Sequence, residues 1–176
     1  MENHDHLTQY TIPQLLRWRM QKSPDKVALR EKEFGYWRSY TWRDYYQKVR
    51  TTALGLRQIG MSRGDKVALI GDNIPEMLFV AIGAQALGGV SAGIYQTSLP
   101  DEIAGILTYL EVSVVFCDDQ EQVDKLVEVR DKIPGVRKVI YEDPRGMRSY
   151  QSDDWFMEIA DLYRLGEDPE ASAQDL

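Results

Sequence analysis

The stretch GDKVALIGDNIPEMLFVAIGAQALGGV, Gly64 to Val90, decides the fold. Lys66 to Ile70 read as an apolar strand. Gly71 marks a turn, and Ile74 to Leu87 carry an apolar helix closed by Gly88 and Gly89. Asn73 is the expected N-cap, with Glu76 three residues on and Pro75 tolerated in the first turn. The helix is apolar nearly all round, which predicts burial. A strand, a glycine turn and a helix also open many nucleotide sites. The dinucleotide fingerprint needs three glycines at that junction, and here only Gly71 stands there. Glu76 would also repel a phosphate held at the helix N-terminus. GLRQIG and GAQALG have phosphate-loop glycine spacing without the lysine. The junction is therefore read as structural, its amides satisfied by its own cap.

Outward from this stretch the pattern repeats. VSAGI, Val90 to Ile94, reads as another buried strand, with expected limits at 89–94. SLPDE starts a helix over 100–110, with Ser98 a candidate N-cap. SVVFC, residues 113–117, is a strand. Asp118 with Glu121 suggests a box opening a helix over 119–132, and RKVIY supplies a strand at 138–141. Upstream, a short helix is expected near Pro13 to Gln21 and a strand at 27–30. FGYWRSYTW reads as a hairpin turning at Gly35, and Thr41 with Asp44 as a box opening a helix over 42–59. WFMEIADLYRLG, from Trp155, is expected to be a last short helix. Alternating strands and helices imply an α/β fold: a layered, mostly parallel sheet flanked by helices, including strands near 27–30, 66–70, 89–94, 113–117 and 138–141. The domain is expected to span 11–166, between a flexible tail at 1–10 and a linker or truncated end at 167–176.

Composition limits the function. The chain has 176 residues, a net charge of −7, 43% hydrophobic and 28% charged residues. That is an ordinary globular balance. No excess of Lys and Arg offers itself to nucleic acid. The lone cysteine, Cys117, cannot form an internal disulfide and reads as a buried strand thiol. The two histidines, His4 and His6, fall in the polar tail, so no metal site is expected. No apolar run approaches the roughly 20 residues of a membrane span, and no apolar leader opens the chain; a cytoplasmic protein is the expectation. Carboxylate pairs at Asp118/Asp119 and Asp153/Asp154 sit at helix starts, where acids serve the helix dipole. From the residues alone, no catalytic constellation emerges.

The order of motifs adds more. PDKVALR (24–30) and the run from Tyr40 to Asp119 resemble the start of the adenylate-forming (AMP-binding) enzyme superfamily, over about Thr11 to Tyr150. The series is a GD-V-A strand, an N-PE helix start, a GG strand, a DE helix start and a V-F--D strand end. GIYQTSLPDEI (93–103), DQEQVDKL (119–126) and YEDPRGMRSY (141–150) are similar to the long-chain fatty acyl-CoA synthetase branch. The resemblance implies the N-terminal subdomain of that fold, in an enzyme using ATP, Mg²⁺ and CoA on a fatty acid. The family's Ser/Thr/Gly-rich phosphate loop ending in Pro-Lys, its adenine, ribose and Mg motifs and its mobile C-terminal domain with its lysine are not found. The implied reading is an N-terminal fragment, inactive alone, with no catalytic, cofactor-binding or metal residue carried over. The alternative is a stand-alone α/β binding or interaction module that kept the fold without the chemistry. Tyr95, Gln96 and Thr97 follow a strand and are candidates to lie near the acyl tunnel, against a plain connecting loop. An apolar layer left open by truncation implies a possible homo-oligomer.

Overall fold

The computed structural model describes residues 8–167, apart from the side chain of Glu33. Most of the expected tail and linker, with His4 and His6, lies outside these residues. The element order is α1 (Ile12–Lys22), β1 (Val27–Glu33), β2 (Tyr36–Thr41), α2 (Trp42–Gln58), β3 (Lys66–Ile70), α3 (Pro75–Ala86) and β4 (Val90–Ile94). Then follow α4 (Pro100–Tyr109), β5 (Val114–Cys117), α5 (Gln120–Glu128), β6 (Lys138–Tyr141), β7 (Phe156–Glu158) and α6 (Ile159–Glu167).

Five strands form a parallel sheet in the order β4-β3-β5-β6-β7. Helices cover both faces, so the inner strands read as unbroken apolar runs. Their side chains sort by alternation. Ala68, Ile70, Val115, Cys117 and Val139 meet α4 and α5 through Ile103, Leu107, Val123 and Leu126. Val67, Leu69, Val114, Phe116 and Ile140 meet α2, α3 and α6 through Leu56, Val80 and Leu162. A third cluster, with Leu16, Tyr40, Tyr45 and Phe79, joins α1 and the hairpin to α2 and α3.

Several expectations need correction. The strand at 27–30 is not part of the parallel sheet. It pairs antiparallel with β2 as a separate two-stranded ribbon, register Leu29 to Tyr40 through Glu33 to Tyr36. Its sequence, VALREKE, ends in four consecutive charged residues, and such a strand cannot be buried on both faces. VSAGI is not buried either: β4 is the sheet edge, with Val90 exposed and only Ile94 buried. Trp155 to Glu158 is not helical. Phe156–Glu158 is the last strand, clipped to β6 where the Val139 N–H donates to the Trp155 carbonyl, while the Trp155 Nε1–H donates to the Val136 carbonyl at 2.8 Å. The helix over 119–132 ends at Glu128 and continues as a 3₁₀ turn at Arg130–Lys132. On α3, Leu78 faces solvent while Phe79, Val80 and Ile82 are buried, so its burial is not all round.

The caps are shifted by one residue at three starts. The N-cap of α3 is Ile74, not Asn73, with no side-chain bond. That of α4 is Leu99, not Ser98; Glu102 accepts the Leu99 N–H at 3.0 Å. That of α5 is Asp119, not Asp118, and it accepts the Gln122 N–H at 3.2 Å. The box at Thr41 and Asp44 forms as expected. The Asp44 N–H donates to Thr41 Oγ1 and the Thr41 N–H to Asp44 Oδ2. Bonds from Thr41, side chain before backbone, hold the Asp44 carboxyl below its ordinary range.

Candidate functional site

Ligands of doubly wound sheets bind beyond the strand C-termini, where successive crossovers leave a strand in opposite directions. Here that point lies between β3 and β5: the chain passes from β3 to β4 on one side and then to β5 on the other. The crevice is occupied by the protein itself. Asp118 follows β5, is 9% exposed, and turns its carboxylate onto Gly71. A methyl group at Gly71 would overlap that carboxylate, so glycine is required by close approach. Asp118 Oδ2 accepts the Asp72 N–H at 2.7 Å. The turn's amide is thus satisfied from the end of β5, not by a cap of its own. Oδ1 is buried without a hydrogen-bond partner among the described residues. Burial pushes the Asp118 carboxyl above its ordinary range, the Asp72 N–H pulls it back, and Asp119 adds to the rise.

The turn after β3 is filled by the Asp118 carboxylate, and the charge of Asp119 acts on it from the next position. The Glu76 carboxyl is itself raised, first by burial. The neighbouring Cys117 thiol is fully buried and held protonated by that burial and by Asp118 and Asp119. Among the described residues no group of three or more His, Cys, Asp or Glu gathers as a metal site.

The three candidate loop residues lie on the adjacent rim. Tyr95 is 85% exposed, and Gln96 and Thr97 are beside it. The Ser98 N–H donates to the Tyr95 carbonyl, closing a turn. Gln96 is anchored from two sides. Its Nε2–H donates to Asp72 Oδ1 at 2.8 Å, and its carbonyl accepts from Lys125 Nζ. Lys125 also donates to buried Gln122 at 3.1 Å and pairs with Glu121 at 3.0 Å. The loops after β3 and β4 and the start of α5 are therefore braced together. Nothing in the sequence singles out Asp72 or Lys125: each pairs with Gln96 across more than 20 residues, and no local motif encodes that.

Tyr95 and Gln96 border a cleft of about 1180 Å³ between β1, α3 and the ends of β3 and β4. Ile74, Met77, Leu78 and Ala81 give it an apolar wall. Its lining holds no nucleophile–base pair. Arg30, Glu31 and Lys32 of β1 and Asp72, Asn73 and Gln96 by the strand ends add charged and polar groups to that wall, a lining suited to binding an amphipathic ligand.

Residues 16–175 match the AMP-binding enzyme family. Long-chain-fatty-acid–CoA ligase ACSBG1 of Homo sapiens is 30% identical over 153 residues, 85% of this chain and 21% of that protein. The same-named ligase of Rattus norvegicus is 32% identical over 136 residues, 77% of this chain and 19% of that protein. The chain spans about a fifth of the length of these curated relatives. Among solved structures, the N-terminal domain of FACL13 from Mycobacterium tuberculosis superposes with a TM-score of 0.72 at 23% identity, over 89% of this chain and 36% of that one. An anthranilate CoA ligase, AuaEII, in complex with anthranoyl-AMP superposes at 0.77 and 19% identity, over 88% and 28%. These structures carry the fold. Among the described residues no helix is long and apolar enough to cross a membrane.

Proposed function

Because the chain belongs to the AMP-binding enzyme family, we propose that it is the N-terminal part of an ATP-dependent long-chain fatty acid–CoA ligase. The observation that carries this reading is the family match over residues 16–175 together with similarity to long-chain ligases along about a fifth of their length. In the proposed reaction a fatty acid carboxylate attacks the α-phosphate of ATP and pyrophosphate leaves. The thiol of CoA then attacks the acyl carbonyl, its proton is lost, and AMP departs. The negative charge of both steps calls for Mg²⁺ and cationic side chains. At the crevice this chain presents carboxylates instead, so those groups come from elsewhere in a complete ligase. The chain's own part is the sheet and the apolar wall of the cleft, with the loop at Tyr95, Gln96 and Thr97 on the acyl side. The open edge at β4 supports self-association of the chain when it stands alone.

A pyrophosphate-release assay with ATP, Mg²⁺ and palmitate tests the division of labour. The 176-residue chain should give no release above a no-protein control. Fatty acid-dependent release would place a complete adenylation site within it. The loop is tested by Tyr95→Ala in a complete ligase containing this segment. A shifted chain-length preference is expected, and an unchanged profile in a folded enzyme would leave Tyr95 as a connecting residue.

A further inference from the structure

Two glycines among the described residues have neither a left-handed φ nor any atom within 4 Å of the place a Cβ would take: Gly93 and Gly105. Nothing in the chain requires glycine at either place. Gly105 lies on the exposed side of α4, whereas Gly93 lies in β4 and lines the cleft. Glycine inside a strand weakens it, because it adds backbone freedom and packs nothing. Such a glycine often marks a place where a ligand or a second backbone comes close. The face it stands on is fixed by alternation. Ile94 is buried with Ile103 and Leu107 of α4. Ser91 turns the other way, where its Oγ accepts from Gln85 Nε2 of α3 at 3.0 Å. Gly93 shares the Ser91 face and is in register with Leu69 of β3. Leu69 also lines the cleft, as do Met77, Leu78 and Ala81 of α3. The result is a bare strip of β4 backbone walled by apolar side chains.

We propose that Gly93 is a specificity-determining residue: its missing side chain leaves the space in which the methylene tail of a long acyl chain lies against β4. The inference rests on the ligase reading. An alkyl tail needs no hydrogen-bond partner, only width and apolar walls. A side chain at position 93 would take up part of that width. Its effect should therefore fall on long chains and spare short ones, which do not reach it.

Gly93→Ala, Gly93→Val and Gly93→Leu in a complete ligase containing this segment test it, by pyrophosphate release with saturated acids from octanoate to palmitate. For palmitate, kcat/KM should fall in the order of side-chain size, roughly tenfold or more at leucine, the discrimination that apolar pockets achieve. The loss should appear in the KM for palmitate, with octanoate kinetics and the KM for ATP unchanged. In the 176-residue chain, Gly93→Val should unfold at the same or a higher urea concentration than the wild type, since valine suits a strand and a Cβ there meets no atom. A residue that merely held the fold would lose stability and act on every acid alike. A wild-type ligase active on fatty acids, with all three variants keeping its chain-length profile, overturns the assignment of Gly93 and leaves the ligase reading standing. The assignment is also overturned if Gly93→Ala melts lower in the complete ligase but not in the 176-residue chain, because protein would then fill the space. A wild type inactive with every fatty acid overturns the ligase reading, and this inference with it.

Discussion

Asp118 occupies the place where a sheet of this strand order opens to a ligand, and its environment is divided. Burial disfavours its charge, while the Asp72 N–H favours it. Burial is the larger effect, so the carboxyl is raised above 3.8 in the folded chain. Above that ordinary value the unfolded chain has released this proton and the folded chain still holds it. Stability contributed here is thus full below pH 3.8 and is lost as pH rises through the folded value. Asp118→Asn keeps an oxygen to accept the Asp72 N–H and removes the ionisation. Urea unfolding of both proteins between about pH 4 and 7 should show the Asn variant gaining on the wild type as pH rises, by the linkage of folding to ionisation. A gap that stays constant, or moves the other way, would mean that the hydrogen bond outweighs burial and that the charged carboxylate is at home.

At the scale of elements, α2 and α6 meet through two glycines. A methyl group on Gly55 would overlap the Leu162 carbonyl oxygen, and one on Gly166 would overlap the Thr51 carbonyl oxygen. Alanine is the better helix former by about 1 kcal/mol, so propensity and packing pull Gly166→Ala in opposite directions. Overpacking costs about 1–3 kcal/mol, and packing against backbone has little room to yield. The variant should therefore lose stability in chemical unfolding; a gain would show that α6 can slide off α2 at little cost. Neither glycine announces this contact in the sequence, where both lie in ordinary helical patterns. What the sequence does carry is element type. The apolar runs at 66–70, 114–117 and 138–141 become strands because both sheet faces are covered, and the helices between them follow from alternation. Alternation does not say which strand joins which sheet, so the strand at 27–30 is expected in the parallel sheet and lies outside it. Nor does alternation find β7, whose three residues become a strand by pairing with β6. Caps expected at Asn73, Ser98 and Asp118 miss by one residue because neighbouring positions satisfy the same pattern. At Asp118 the competing partner, the Asp72 N–H, lies 46 positions away.

Over the whole molecule, the candidate site is legible only in part. The strand–loop logic places Tyr95, Gln96 and Thr97 at the sheet crest, where they lie, but the brace through Asp72 and Lys125 is a product of folding. The same topology leaves β4 at the edge with one side of its backbone unpaired, Val90 53% exposed along it and Leu78 exposed on α3. Unpaired edges are templates for another strand unless charge, proline or a bulge blunts them. Val90 to Ile94 has none of these: its sequence is VSAGI, and its register with β3 runs without interruption. Two copies meeting edge to edge would pair these backbones and cover the apolar side chains around them. Light scattering at micromolar concentration should accordingly give a mass at or above twice the 20.3 kDa of one chain. Val90→Lys with Ala92→Lys places charge on that edge, at two positions outside the buried core, and should return the protein to a monomer. Phe34→Asn with Trp37→Ser, on the separate ribbon, should leave the assembly intact. A wild type that scatters as a single 20.3 kDa chain would mean that the β4 edge is closed to its own kind. Dissociation by the ribbon variant rather than the edge variant would move the contact from the sheet to the hairpin.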